Sequence, residues 1–223
     1  MFTSWFKFSQ KLCLQLMVVA SLMTLTSCSS TYYSALEQVG IHKRDIMVDR
    51  VINAKESQQE AQQQFTSALA AMTALINFDG SELEQQYNII QDQYEDSKEA
   101  AEQVSLRIEK VEEVSNALFD EWQEEIGQIS SVNLSRQSSL KLKETQRRYK
   151  KLINAMRKAE RKMTPVLTAL KDNSLFLKHN LNAKAVGALR GEMLAIKSAV
   201  SILIRDMNSA IEQSQKFIQL LEQ

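Results

Sequence analysis

A repeat of apolar residues at alternating steps of four and three constrains this chain more than any other feature. Between 81 and 128 the repeat has twelve members, ten of them apolar: Leu83, Tyr87, Ile90, Tyr94, Ser97, Ala101, Val104, Ile108, Val111, Ser115, Leu118 and Trp122. A mean spacing of about 3.5 residues puts every member on one side of an α-helix and favours left-handed supercoiling with neighbouring helices. The repeat therefore predicts a long helix with one buried seam.

The same spacing recurs in two later stretches. One set is Leu142, Thr145, Tyr149, Leu152, Met156, Ala159, Met163, Val166 and Leu170, and the other is Val186, Leu189, Met193, Ile196, Val200, Leu203, Met207, Ala210, Ser214, Phe217 and Leu221. An earlier stretch is weaker, because polar residues join the apolar ones on its stripe: Val51, Lys55, Gln58, Gln62, Phe65, Leu69, Met72 and Ile76. We expect its Gln-rich middle, Ser57 to Gln64, to be loosely packed or solvated.

Composition and turn signals complete the fold prediction. The chain has only five Gly and one Pro among 223 residues, whereas sandwiches, barrels and doubly wound sheets need many turn residues. Turn signals at 77–81, 127–133 and 171–182 divide it into helices at about 33–77, 81–128, 135–171 and 182–222, the second with a Ser81–Glu84 capping box. We therefore predict an all-α, elongated antiparallel bundle of four long helices, a coiled-coil domain covering 33–223.

The first 27 residues are typical of an export signal. Lys7 and Lys11 are their only charges, and an apolar run from Leu12 to Leu25 follows. This run is shorter than the roughly 18 to 20 residues of a permanent membrane-spanning helix. The segment ends in Leu25-Thr26-Ser27-Cys28, which resembles the lipobox of bacterial lipoprotein precursors at all four positions. A plain signal peptide and an uncleaved anchor are the alternatives.

The lipobox resemblance implies that Cys28 is acylated, that the chain is cut just before it, and that residues 28–32 form a short lipidated tether. Several acyl chains anchor a protein stably, whereas one myristoyl chain binds a membrane only marginally. Ser29 occupies the position where inner-membrane lipoproteins often carry Asp, so the expected location is the outer membrane, facing the periplasm. Cys13 is the only other cysteine, so we expect no disulfide in the mature chain.

Charge separates the second and third predicted helices. Residues 81–128 include 14 acids and three bases, a net charge of −11, and residues 135–171 include 12 bases and two acids, a net charge of +10. A short connection makes such helices antiparallel neighbours, so pairing within the molecule is the favoured interpretation of the basic run from Lys141 to Lys162. A surface for anionic lipid or glycan is the second interpretation. Nucleic acid is the weakest, because an exported chain does not meet DNA.

The sequence carries no motif that indicates catalysis, a cofactor or a metal. His42 and His179 are the only histidines and have no cysteine or H-E-x-x-H companion, whereas zinc needs three or four protein ligands. Neither the phosphate-binding loop G-x-x-x-x-G-K-[ST] nor a nucleophile elbow occurs in the sequence. We therefore expect no enzyme, no cofactor and no metal site, and Cys28 is the one candidate site residue.

The chain as a whole resembles a family of helical proteobacterial envelope lipoproteins that is known only as a domain of unknown function. The resemblance lies in the lipobox, the helical body and two segments between them, Tyr32-Tyr33-Ser34-Ala35-Leu36-Glu37 and Gly40-Ile41-His42-Lys43-Arg44-Asp45. It implies a location and a fold, and it brings no catalytic residues.

These observations together predict a non-enzymatic, lipid-anchored periplasmic protein that acts as a scaffold, a spacer or a partner-binding lipoprotein. Its expected partners are the membrane, through Cys28, and another protein of the cell envelope, while its oligomeric state is left open. The alternative is a chaperone-like or lipid-surface module that uses an apolar groove between helices, with the first helix as a lid.

Overall fold

The computed structural model describes residues 42–78 and 83–222. These residues form four helices, which we number α1 to α4: Lys43–Ile76, Leu83–Gln128, Val132–His179 and Ala183–Leu221. The described ranges contain no strand, and the four helices pack together, so the predicted all-α bundle is confirmed. The chain divides into two compact units, Met1–Lys43 and Arg44–Gln223, and all but two of the described residues belong to the second.

Side-chain contacts establish how α2 and α3 are arranged. Trp122 Nε1 donates to Ser138 Oγ (2.9 Å) near the end of α2 and the start of α3. Ser174 Oγ donates to Gln91 Oε1 (2.5 Å) near the opposite ends of the same helices. The two helices are therefore antiparallel neighbours, as the short connection between them predicts.

α4 packs against α3 in the same antiparallel way. The rings of Tyr149 and Phe217 have centroids 6.3 Å apart. Lys158 Nζ lies 2.9 Å from Asp206 Oδ1. The later of the two α3 residues, Lys158, thus meets the earlier of the two α4 residues, Asp206. The two helices therefore run in opposite directions.

α1 closes the bundle against α4. Gln62 Nε2 donates to Asn208 Oδ1 (3.1 Å), and Arg190 Nη2 donates to the backbone carbonyl of Ile76 (2.6 Å). The second bond satisfies one of the carbonyls that the last turn of a helix leaves without an intrahelical donor. α1 and α4 are therefore also antiparallel, and the chain goes up, down, up and down.

The predicted seams of α2, α3 and α4 form the core. Every seam residue of α4 is buried, as is every seam residue of α3 except the half-buried Tyr149. In α2, eight of the twelve are buried and the other four are half-buried. Since full burial of a Leu or Met side chain contributes about 1.5 to 3 kcal/mol, these seams are the main source of stability.

The first helix departs from the prediction. Half of the predicted stripe is confirmed, because Val51, Gln58, Phe65 and Met72 are fully buried, and Ile76 is buried as well. The other positions shift by one residue: the seam begins at Met47 and has Ala54, Ala61 and Ala68 in place of Lys55, Gln62 and Leu69, and Leu75 joins Ile76. Ser57 and Gln58 are buried, so the expectation of a loose or solvated middle is wrong. The physical reason is that the small alanines of this seam are buried beside the large side chains and let α1 pack closely. Because Gln58 lies on the same side of the helix, it is buried with them.

Two predicted helix boundaries need correction. α3 continues to His179 instead of ending at 171, because polar residues of the expected turn find partners there: Asn173 Nδ2 donates to the Ala169 carbonyl (2.6 Å), and Ser174 bonds across to α2. Such side chains end a helix only when no better partner competes. α1 begins at Lys43, after the non-helical His42, rather than running on from 33. Residues 33–41 and the predicted Ser81 cap lie outside the described residues.

Two caps agree with the turn signals. The backbone N–H of Leu134 donates to Ser131 Oγ (3.4 Å) at the start of α3, and that of Ala185 donates to Asn182 Oδ1 (3.0 Å) at the start of α4. Ser and Asn are preferred at this position, because their side chains satisfy a free N–H of the first turn.

Candidate functional site

The one site residue predicted from the sequence, Cys28, lies outside the described residues, as do the predicted signal segment 1–27 and the predicted tether 28–32. Among the helices that the structure describes, none is both long and apolar enough to cross a membrane. In the same part of the chain no group of three or more His, Cys, Asp or Glu side chains is placed to hold a metal ion. Among the described residues, the candidate site lies on the surface of the bundle.

The outward side of α2 is strongly acidic. Eight exposed carboxylates form what we call the acidic ridge: Asp92, Glu95, Asp96, Glu99, Glu102, Glu109, Asp120 and Glu124. At a rise of about 1.5 Å per residue, the ridge is about 48 Å long. Two lysines interrupt it, and both are engaged within α2: Lys98 lies 3.9 Å from Glu102, and Lys110 lies 2.9 Å from Glu113.

The outward side of α3 carries the opposite charge. Its exposed bases form what we call the basic ridge: Arg136, Lys141, Lys143, Arg147, Arg148, Lys150, Lys151, Lys158, Arg161 and Lys162. This ridge is about 39 Å long by the same helical rise. Because α2 and α3 are antiparallel neighbours, residues 104–125 of α2 lie beside residues 141–162 of α3. The two ridges therefore run next to each other on one face of the bundle, the α2/α3 face.

One well-formed ion pair crosses this face. Arg157 Nε and Nη2 donate to the two carboxylate oxygens of Glu112 at 3.1 and 2.5 Å, and Nη1 donates to Glu160 at 2.9 Å. A planar guanidinium suits such two-point binding of a carboxylate. The hydrogen bonds to Glu112 raise the pKa of Arg157 above its ordinary value, and those to Glu160 add to this. Arg157 therefore stays charged wherever the protein is folded.

The other charges of the two ridges stay in solvent. Across the described ranges, Arg157 is the one α3 side chain in an ion pair with α2, while Arg147 and Arg148 turn to Glu144 of their own helix at 3.6 and 3.5 Å. Direct pairing between the acidic and basic helices, the favoured interpretation from the sequence, holds for one of the twelve bases. The apolar seams hold α2 and α3 together, so most of the ridge charge is free to act on a partner.

The pair between α3 and α4 is of another kind. Lys158 is exposed, whereas its partner Asp206 is buried, with Oδ1 at 2.9 Å from the ammonium group. The second oxygen, Oδ2, is buried without a hydrogen-bond partner in the described structure. The side chain of Lys158 is thus directed toward α4 and away from the α2/α3 face.

Grooves run along both sides of α3. The groove on the α2/α3 face has a volume of about 310 Å³; Ala101, Met163 and Leu167 line it between Glu102 and Arg161. The groove between α3 and α4 is larger, about 540 Å³, and its lining is mostly apolar: Pro165, Ala169, Phe176, Ala188, Leu189, Ala195, Ile196 and Ala199, with Asp172, Asn173 and Glu192. Phe176 is 39 % exposed at its edge.

The sequence predicts the charges of α2 and α3 but not their freedom from partners, and it suggests an apolar groove between helices without placing it between α3 and α4. A signal for that groove existed, because Ala188, Ala195 and Ala199 follow a second stripe of steps of seven and four beside the α4 seam. Small residues at such positions leave space between two helices that larger side chains would fill.

The fold and its surface define a class: an antiparallel four-helix bundle whose second and third helices expose adjacent ridges of opposite charge. The chain belongs to the family described as protein of unknown function (DUF2959), which matches residues 32–221 and so includes all four helices. The expected membership of an uncharacterised family is confirmed. No curated protein and no solved structure matches the chain.

Proposed function

We propose that this protein is a lipid-anchored, non-enzymatic scaffold of the bacterial cell envelope that binds a protein partner through its α2/α3 face. The observation that carries the proposal is the pair of exposed ridges, whose charges are mostly unpaired within the bundle. Two adjacent ridges of single sign create a field that attracts a complementary partner and sets its orientation. A partner that sets a basic surface against the acidic ridge and an acidic surface against the basic ridge gains favourable electrostatic interactions with both ridges.

The lipid anchor rests on the first 28 residues. The apolar run from Leu12 to Leu25 and the lipobox ending at Cys28 support acylation of that cysteine, and Ser29 supports sorting to the outer membrane, facing the periplasm. Little chain separates Cys28 from Lys43, where α1 begins. An acylated Cys28 would thus hold the bundle near the membrane, so its partner would be a protein that also lies near the membrane.

Acylation is tested by labelling cells with palmitate and separating inner and outer membranes. We expect Cys28→Ser to lose the label and to accumulate as an uncut precursor at the inner membrane, because the thiol is the atom that receives the lipid. Cys13→Ser is the matched control and should label and sort as the parent does. If Cys28→Ser still incorporates palmitate and reaches the outer membrane, the anchor is not at this residue.

A chaperone-like or lipid-surface function is the second candidate, and the apolar α3/α4 groove favours it. Because α1 packs into the core of the bundle, this second candidate function does not use the first helix as a lid over the groove. Ala195→Trp would fill the groove and should abolish protection of an unfolded client from aggregation, whereas Ser198→Trp, exposed one position outside the lining, should not. Equal protection by both variants and the parent rules out the groove as the client site.

A further inference from the structure

We propose that the α2/α3 face binds the same face of a second copy of this chain, in a parallel two-fold dimer that sets each acidic ridge against the partner's basic ridge. The inference deepens the proposed function, on which it rests for the choice of a protein partner. Its carrying observation is the adjacency on one face of two ridges of opposite sign whose charges are mostly unpaired with each other, because such a face is complementary to itself.

Symmetry and charge together select the direction of the second copy. A two-fold axis that runs along the helices places α2 of one copy opposite α3 of the other. A two-fold axis that crosses the helices within the interface instead places α2 opposite α2 and α3 opposite α3. Like charges would then face each other on both ridges, which is unfavourable. The ridges therefore select the first arrangement, in which both copies point the same way.

The charges match along the length that the two helices share. Among exposed side chains, residues 104–125 of α2 include four acids and one base, and residues 141–162 of α3, at the same level of the bundle, include nine bases and one acid. A two-fold axis along the helices preserves level, so these two stretches meet in the dimer. The second copy would thus satisfy charges that the bundle itself leaves in solvent.

The face is large enough for a stable dimer. Two helices, each about 10 Å wide, present a strip about 20 Å wide, and the stretch of matching charge is about 32 Å long. This corresponds to about 640 Å² per copy, or about 1,300 Å² in total, at the lower end of standard protein interfaces. Leu106 and Leu140 are 46 % and 58 % exposed on the outward sides of the two helices, and they add apolar surface to the strip.

An anionic membrane fits this face less well than a second copy does. Neighbouring helices lie about 8 to 10 Å apart, which is about one Debye length at physiological salt. A lipid surface that attracts the basic ridge therefore repels the acidic ridge beside it. A parallel dimer avoids this conflict, and it leaves the N-terminal ends of both α1 helices on the same side, where two anchors can enter one membrane.

Cross-linking of the full-length chain in cell membranes tests the interface. Thr164 is exposed in the α2/α3 groove, next to the expected two-fold axis, so the two copies of this residue come close together. Thr66 of α1 is the matched control, because it is also an exposed threonine and lies one turn from Gln62, whose side chain bonds to α4. With a short bismaleimide, Thr164→Cys should give a dimer and Thr66→Cys none above the unsubstituted chain.

Charge reversal tests the pairing of the ridges. One variant carries Glu at Lys143, Lys150 and Arg161, and the other carries Lys at Glu109, Asp120 and Glu124, all six being exposed. In the Thr164→Cys background, the amount of cross-linked dimer should fall at least about tenfold for each variant alone. Several pairs of like charges then face one another, and each repulsion costs some tenths of a kcal/mol. Expressed together, the two variants restore opposite charges on both ridges and should restore the cross-link.

The outcomes separate this inference from the anchor. Equal cross-linking of Thr164→Cys and Thr66→Cys, or no rescue when two helical reversed variants are expressed together, overturns the dimer. Circular dichroism of each variant shows whether it is helical. A chain that carries all six substitutions again sets opposite charges against each other, and it should therefore give the dimer. Binding of the parent to phosphatidylglycerol vesicles without a cross-linked dimer assigns the face to lipid instead. Palmitate label in the same membranes reports the anchor independently.

Discussion

We expect replacement of Gln58 with methionine to stabilise the bundle. Gln58 is fully buried on the seam of α1, and neither its amide oxygen nor its amide nitrogen has a hydrogen-bond partner in the described structure. Methionine is similar in length, is flexible, and adapts to the space around it. The substitution therefore removes two buried polar groups and leaves the packing of the seam nearly unchanged.

The size of the effect follows from the cost of burying an amide. Mutational data put that cost at about 1 to 3 kcal/mol when no hydrogen bond compensates. We therefore expect Gln58→Met to raise the free energy of unfolding by about this amount. For a domain of about 150 to 250 residues, each kcal/mol shifts Tm by about 2 to 4 °C, so the melting temperature should rise by about 2 to 12 °C.

Urea unfolding and thermal melting followed by circular dichroism measure the change. Gln59→Met is the matched control, because Gln59 is the next residue and is exposed; its effect should stay within about 0.5 kcal/mol. An unchanged or lower stability of Gln58→Met, with the control unchanged, would refute the argument. The amide would then be making hydrogen bonds that stabilise the fold.

Two further predictions concern the contacts around α3. Arg157→Lys keeps the charge but loses the two-point contact with Glu112, so we expect the free energy of unfolding in urea to fall by about 1 to 2 kcal/mol. Arg148→Lys is the control and should change it little, because Arg148 lies 3.5 Å from the exposed Glu144. Equal losses in the two variants would show that the two-point contact contributes no extra stability. Burial raises the pKa of Tyr149 above 10.0. The unfolded chain therefore loses this proton first, and stability present below about pH 10 declines as the pH rises toward the folded pKa. Tyr149→Phe should remove that part of the decline, and an identical decline in both proteins would exclude Tyr149 as its source.

The seams of α2, α3 and α4 were predictable from the sequence because their signal is local. An apolar residue every three or four positions marks one side of a helix wherever that helix packs. Ser131 and Asn182 could likewise be assigned to turns, because a capping side chain acts on the backbone of its own first turn. The lipobox at Cys28 is a local pattern too, and the acylation that it predicts awaits the labelling experiment.

Features that depend on a neighbouring helix were decided only by the tertiary structure. Gln58 is polar, so its own chemistry indicates exposure, and only the packing of α1 against its neighbouring helices brings it into the core. Asn173 and Ser174 favour a turn until α3 and α2 supply partners for them. The charges of α2 and α3 suggest mutual pairing, yet the apolar seams set the positions of both helices, and among the described residues Arg157 alone forms an ion pair between them. Local periodicity thus determined which residues form helices, whereas burial and pairing depended on distances between helices that no single stretch of sequence contains.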